Sequence, residues 1–498
     1  MTAEAPPAAA SVNLARSVAL STSTQLLARG VDLCVNVVVA LVIIRHLGPR
    51  GYGDFVVVVT VAGLSGLFAD LGLPKLAVRE LVRDSTITDR LVGSVTVVRA
   101  VLAGVAALAA QLALFALDAT AEIRVATAVA GTIALAEALL SVVVIFHAAV
   151  RQHFEALARL AANVVKLAAV TLLVLADAGL VALVGATTTT LLVAAAIGWI
   201  QARRWFGFRP AWDWQLVRGL LAEVAAVGPA LVIGVLYLKV GAVLVALLGS
   251  RTDVGVFGAA YQPVEYLFLG SAVVVQVLYT VLARWEPGSA HFADTYRRGT
   301  EVLLVLVVPV GLAVAVTAPT LTGVAYDDSF AGSSLPLSLL SLALVGMTVN
   351  VWQGMVLLAA NHARANLRCL VAALATNVAL GSILIPRLGP AGAAWAVLAS
   401  TVVLVGRSTR AVTTFTAARL DGRRISRLGT AAATMLTAMA AARLAGGHPA
   451  LPVLLGALVY GALILRSGLL PVEDLRAAVR RSEPPRTTPT TLPIGGAP

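Results

Sequence analysis

Leu47-Gly48-Pro49-Arg50-Gly51-Tyr52-Gly53-Asp54-Phe55 ends one long apolar run and opens another, and Leu248-Gly249-Ser250-Arg251-Thr252-Asp253-Val254-Gly255-Val256-Phe257 does the same later in the chain. One inserted residue aligns the two turns. Each places helix-breaking and charged residues between apolar segments, which is the punctuation of a chain that leaves a membrane and re-enters it. A weaker echo joins Asp177-Ala178-Gly179 to Arg387-Leu388-Gly389. Matching turns six apolar runs apart imply a duplication, and duplicated bundles are the arrangement in which transporters rock one half against the other.

Outward from those turns, apolar runs lie near 17–44, 54–74, 92–116, 124–148, 157–176, 179–200, 224–248, 255–283, 300–322, 335–360, 367–385, 390–412, 429–445 and 449–470. The runs 157–176 and 429–445 are the weakest, being short or interrupted by polar residues. A hydrocarbon core about 30 Å thick takes about 20 apolar residues per helix, so such runs account for nearly the whole chain. Composition agrees: the 498 residues are 59% hydrophobic and 12% charged, with a mean hydropathy of +0.91, whereas a soluble domain carries roughly a quarter charged residues. A water-soluble globule is excluded, and no large soluble domain fits. The expected fold is all-α, a polytopic membrane protein of about 14 transmembrane helices. Two pseudo-symmetric six-helix bundles, 13–206 and 207–417, are followed by two C-terminal helices within 418–470. Residues 1–12 form a short N-terminal segment, and 471–498, rich in Pro and Thr, reads as a disordered tail.

Arginines and lysines fix the orientation. Connections after even-numbered runs carry most of them, for example Lys75, Arg79, Arg83 and Arg90, or Arg203, Arg204, Arg209 and Arg218. Those after odd-numbered runs carry only Arg45, Arg50, Arg124, Arg251, Arg387 and Arg443. By the positive-inside rule both termini are expected to be cytoplasmic. The first helix lacks a signal-peptide pattern and is expected to be retained. Although the net charge is +12, these arginines are dispersed among short loops and form no basic surface for nucleic acid. Cys34 and Cys369 fall inside apolar runs and read as small buried hydrophobes, not as a disulfide or metal pair. Asp327 and Asp328 read as a solvated turn, and no metal or other cofactor is expected.

Charges inside the apolar runs need a reason, because an ionic group at the bilayer centre costs roughly 2.5 to 3.5 kcal/mol even on the lenient insertion scale. Gln25, Arg29, Asp32 and Asn36 are spaced by four, three and four residues, which confines them to an arc of about 60° on the first helix. This polar stripe either lines a cavity or pairs internally. Lys166 and Lys239 sit near the middle of the fifth and seventh helices, too deep for easy snorkelling, and are expected to face a central cleft, one from each bundle. Arg99, shallower in the third helix, is expected to snorkel to the headgroups and is a second-rank ligand. Glu137, and Glu265 with Gln262 and Gln276 on its face, read either as salt-bridge partners for the lysines or as proton-coupling carboxylates. Pro229, with Gly228 and Gly234, reads as a hinge in the seventh helix, and Thr187 to Thr190 as back-bonding within the sixth. Asp70 and Glu223 lie close to the cytoplasmic face.

The turn at residues 46–55 resembles the "LG..EYG.F" signature of polysaccharide exporters in the multidrug, oligosaccharidyl-lipid and polysaccharide flippase superfamily. Asp70-Leu71-Gly72-Leu73 with Val78-Arg79-Glu80, residues 254–261, and Ile385-Pro386-Arg387-Leu388-Gly389-Pro390-Ala391-Gly392-Ala393-Ala394 resemble it too. The similarity covers roughly residues 13 to 415, and no single motif is diagnostic alone. It departs at the seventh helix, where relatives often carry an Asp and this chain has Gly241 beside Lys239. What the resemblance implies is an alternating-access flippase in a bacterial cell membrane, moving an isoprenoid diphosphate-linked saccharide to the outer leaflet. Arg29, Lys166, Lys239 and Arg99 would then bind the diphosphate head, and a glycan polymerase or export machinery would be a further partner. An ion-coupled multidrug exporter of the same superfamily is the alternative, disfavoured because the mid-membrane candidates lean basic. A membrane glycosyltransferase or polymerase is disfavoured because the connection at 323–334 is too small for a catalytic domain, and no enzyme is expected.

Overall fold

The computed structural model describes residues 8–116, 118–149, 151–416, 418–445 and 451–467, and the side chains within these except those of 8–29, 223 and 225–231. The long apolar runs form helices: α1 (Ala8–Asp70), α2 (Leu73–Arg83), α3 (Thr88–Ala116), α4 (Ala121–Leu139), α5 (Val143–Ala148), α6 (His153–Leu175) and α7 (Leu180–Phe206). Then come α8 (Trp214–Leu248), α9 (Arg251–Leu282), α10 (Ala290–Ala325), α11 (Ser334–Ala359), α12 (Ala363–Leu388), α13 (Pro390–Thr416), α14 (Gly422–Leu444) and α15 (Leu451–Ser467). Among the described residues, 10 helices are long and apolar enough to cross a membrane, and the chain is a multi-pass membrane protein. The segment Gly30–Arg83 is long enough for two passes. Helix α1 continues through Pro49 because Gly48 takes φ 64 there, kinking the rod so that no carbonyl has to meet the proline ring.

Successive passes place two kinds of connection at opposite ends. One end, the turn end, carries Gly48, Asp177–Gly179, Gly249, Asp327 and Gly389; the other, the basic end, carries the arginine-rich links. At the basic end the link between α7 and α8 is pinned back on α3. The Ala211 amide donates to the Asp89 carbonyl at 3.0 Å, the Asp213 amide donates to Ser94 Oγ at 2.8 Å, and only glycine fits at position 93, where a Cβ would come within 2.4 Å of the Ala211 carbonyl. Trp205, Trp212, Trp214 and Trp285 stand exposed around this end, where amphipathic rings settle at the headgroup level.

Prolines within helices free carbonyls, and neighbouring hydroxyls take them up. Pro263 removes the donor for the Ala259 carbonyl, and the Tyr326 hydroxyl donates to it at 2.9 Å. Pro319 does the same to Ala315, where Ser338 donates at 2.8 Å. Thr187 to Thr190 each donate to a carbonyl three or four residues back, as expected. Helix α14 is held on α10 by Arg424, which donates to Glu301 at 2.8 Å, and by Arg443, which donates to the Val316 carbonyl. One expectation is corrected: Cys369 is buried, but Cys34 is exposed on the surface of α1, an apolar position that lipid can cover as readily as protein.

Candidate functional site

Asp32 and Asn36 lie one turn apart on α1, and Asn163 and Lys166 lie one turn apart on α6, so two short polar stripes face each other between these helices. The Lys166 ammonium donates to Asn36 Oδ1 at 2.9 Å. Asn36 Nδ2 donates to Asp32 Oδ1 at 3.1 Å and to the Asp32 carbonyl at 2.7 Å, and Asn163 Nδ2 donates to the same carboxylate oxygen at 2.9 Å. The cation is therefore held by an amide, with its counter-charge one residue removed. These residues line a cavity of about 180 Å³ that also takes in Glu155, Arg159 and Thr190. At its basic-end rim Glu155 accepts from Arg159 at 2.8 Å and faces His147 at 2.6 Å.

The second cationic site is built differently. Lys239 on α8 meets Glu265 on α9 directly, Nζ to Oε1 at 2.6 Å, with the two side chains 28% and 30% exposed. The Tyr261 ring lies 5.7 Å from the ammonium, and the Tyr261 hydroxyl is tied to the Leu238 carbonyl at 3.0 Å. Of the two readings open for Glu265, ion-pair partner is the one this geometry displays. Among the described residues, the walls of the Lys166 cavity come from α1 and from residues 140–198, and Lys239 is not one of them. A buried cation recruits the nearest partner within its own bundle, because unpaired it would cost several kcal/mol.

A seam between α1 and α9 nevertheless connects the two sites. The Tyr266 hydroxyl, next in sequence to Glu265, donates to the Asn36 carbonyl at 3.1 Å. Gln262, one turn earlier on α9, accepts from the Tyr52 hydroxyl at 3.2 Å. Toward the turn end the seam becomes backbone on backbone: a Cβ on Gly53 would sit 1.9 Å from the Arg251 carbonyl, and one on Gly255 would sit 1.8 Å from the Pro49 carbonyl. The two aligned turns of the sequence thus press their glycines against each other. Around them Tyr52, Tyr326 and Phe330 are buried together, Arg251 Nε lies 3.5 Å from Asp54, and Arg45 donates to the last carbonyls of α10 at 2.6 and 2.7 Å. The turn end is closed.

Arg99 does not snorkel. It is 5% exposed and donates inward, to Asp70 at 2.9 Å, to the Glu137 carbonyl at 2.9 Å and to Ser141 at 2.8 Å. Three acceptors inside the bundle outcompete distant headgroups for a planar fork of donors. Glu137 turns its carboxylate toward Gly66, where a Cβ would come within 3.0 Å of Oε2, and Gln276 is exposed on α9. The side chains of Gln25, Arg29, Glu223, Gly228 and Pro229 lie outside the described residues, as do the tail 471–498 and most of the segment 1–12. Asp327 caps the amide of Ser329 in its turn. Sequence reasoning passed over Asn163, Arg159, Glu155 and His147. The spacing of Arg159, Asn163 and Lys166, four then three, repeats that of Arg29, Asp32 and Asn36 in mirrored order, and it was the available signal.

With this geometry in hand, the chain can be set beside known proteins. The sequence profile of a family described as "Polysaccharide biosynthesis protein" matches residues 42–335. No curated protein matches the chain. Among solved structures, the fold is similar to that of the lipid II flippase MurJ in an inward closed conformation, with a TM-score of 0.72 at 13% identity over 93% of this chain and 100% of that one. It is also similar to an inward-facing multidrug resistance MATE family transporter of the MOP superfamily, with a TM-score of 0.57 at 12% identity over 77% and 95% of the two chains. A MOP superfamily transporter from Pyrococcus furiosus gives 0.54 at 15% identity over 84% and 96%. At these identities the likeness is one of fold.

Proposed function

The chain belongs to the polysaccharide biosynthesis protein family, and from that premise we propose that it is an alternating-access flippase which carries the anionic head of an isoprenoid diphosphate-linked oligosaccharide from the cytoplasmic to the outer leaflet. The observation that carries this reading is the placement of one intramembrane lysine from each half beside a single seam. Lys166 reaches it through Asn36, whose carbonyl takes the Tyr266 hydroxyl, and Lys239 reaches it through Glu265, the neighbour of Tyr266.

In this reading the closed turn end faces outward, as the distribution of arginines requires. The halves 13–206 and 207–417 rock about the Gly53–Gly255 contact. Opening the α1–α9 seam from the basic end breaks the Tyr266–Asn36 bond and lets a diphosphate displace Glu265 from Lys239 and Asn36 from Lys166. A strongly hydrated anion then exchanges water for charge-assisted hydrogen bonds instead of meeting bare hydrocarbon. Arg29, on the polar stripe of the first helix, is proposed as a third ligand. A negative cell interior favours outward movement of an anion by roughly 2.3 kcal/mol per charge per 100 mV, so the potential can drive the step. The Lys166 cavity matches two acids, Asp32 and Glu155, with two bases, Arg159 and Lys166, a poor cradle for the organic cations of a drug exporter.

The test is a cell lacking its own flippase of this class, given the wild-type chain or Lys239→Ala with Arg29→Ala. Surface glycan restored by the wild type and abolished in the double variant, at equal amounts of inserted protein, is the expected result. Protection against toxic cations with no glycan phenotype would overturn it.

A further inference from the structure

A head group that crosses between two halves must leave its lipid tail at a seam between them, and among the described residues two seams bear on this. The α1–α9 seam is shut by Tyr52–Gln262, Tyr266–Asn36 and Arg45 on the α10 terminus, and its lipid-side pocket, around Val37 and Leu267, has a volume of about 280 Å³. At the other seam, where the second part of α1 and α3 face α8, an apolar groove of about 770 Å³ lies open. It runs from Phe68 and Leu71 near the basic end to Val254 and Arg251 at the turn end. Its walls are narrow-sided because Ala106, Ala110 and Ala113 on α3 face Ala242 and Ala246 on α8, small residues repeated at helical spacing. Among the described residues, Arg251 is the one charged side chain lining it. That guanidinium is 38% exposed, and its Nε lies 3.5 Å from Asp54 Oδ1.

We propose that this groove seats the polyprenyl chain of the lipid-linked substrate, with Arg251 receiving a phosphate oxygen at the turn end once the head has crossed. The assignment rests on the flippase reading and adds the tail subsite and the exit ligand. Charge complementarity selects the occupant. An apolar chain that ends in phosphate fits an apolar groove that ends in a cation, and Arg presents the fork of donors that phosphate oxygens accept. Because α1 and α3 belong to one half and α8 to the other, rocking the halves changes the width of the groove, so seating the tail is coupled to movement of the head.

The full-length protein in phosphatidylethanolamine–phosphatidylglycerol vesicles, photolabelled with a polyprenyl diphosphate that carries a diazirine on a mid-chain isoprene unit, provides the test. Label mapped by mass spectrometry is expected on residues 102–113 and 242–247. Ala110→Phe, which fills the groove, should lower that label about tenfold. Arg251→Gln should weaken competition by unlabelled polyprenyl diphosphate about tenfold and leave competition by polyprenol unchanged. Leu458→Phe, on the exposed face of α15, should leave the labelling as in the wild type. Label spread evenly over the lipid-facing helices, or displaced equally by added phosphatidylglycerol, would overturn the groove and make it a seat for bulk lipid. Head movement is read on the same vesicles with a membrane-impermeant diphosphatase. Movement without groove labelling sinks the tail site and spares the flippase, whereas no movement by the wild type sinks the flippase reading and this assignment of the groove with it.

Discussion

Lys166 and Lys239 are both cations inside a membrane bundle, yet the first is held by a neutral amide and the second by a carboxylate in direct contact. The difference lies in where each half keeps its negative charge. In the first half Asp32 is already engaged by Asn36 and Asn163, so Lys166 stands one hydrogen bond away from its counter-ion. In the second half, among the described residues, Glu265 pairs with Lys239 directly. On the flippase reading proposed above, an incoming anion would meet a cation ready for exchange at one site and an ion pair that must open at the other, which would make the second half the natural place for a step that waits on substrate.

Removing Glu265 should have the largest effect. Glu265→Leu strands Lys239 and should cost about 3 kcal/mol, whereas Lys239→Met with Glu265→Leu should return to within about 1 kcal/mol of wild type. Thermal unfolding in detergent separates the two outcomes, and equal losses in the single and double variants would erase the contrast between the sites. Next, Gly53→Ala places a Cβ against the Arg251 carbonyl and should cost about 2 kcal/mol by overpacking. It should also raise the reactivity of a cysteine reporter at Phe330 toward a water-soluble maleimide, since the turn end can no longer close; unchanged labelling would mean that the seam yields elsewhere. Asn36→Leu removes both the acceptor of Lys166 and a donor to Asp32, and should cost about 2 kcal/mol. Lys166→Met, which leaves Asp32 its two amide donors, should cost only about 1 kcal/mol. Were it as costly as Glu265→Leu, the amide would not be the true partner.

Much of this architecture was legible from residue order alone. The apolar runs gave the helices because hydrocarbon forces backbone groups to pair within each segment, and the Gly53 and Gly255 turns matched because two backbones touch there and only glycine permits it. The need of Lys239 for a carboxylate was legible too, and Glu265 was among the acids named for it. Side-chain direction was not. Whether Arg99 points to headgroups or inward depends on the rotation of α3 against Asp70 and Ser141, which periodicity in a uniformly apolar helix does not encode. The partners of Lys166 were hidden for the same reason: Asn163 and Thr190 become neighbours of α1 only through packing. Helix α14, too polar to stand with the long apolar spans, owes its place to Arg424 on Glu301 and Arg443 on α10, contacts remote in sequence.

The claim that a cation from each half carries an anionic head is tested most directly by head movement in vesicles. Purified wild type, Lys166→Ala, Lys239→Ala and the double variant would be reconstituted with a polyprenyl diphosphate disaccharide, and the sugar reaching the far leaflet counted with a lectin. The account predicts that each single variant slows movement at least about tenfold, the loss of one charge-assisted contact, and that the double variant abolishes it. A double variant that moves the sugar at the wild-type rate would contradict it.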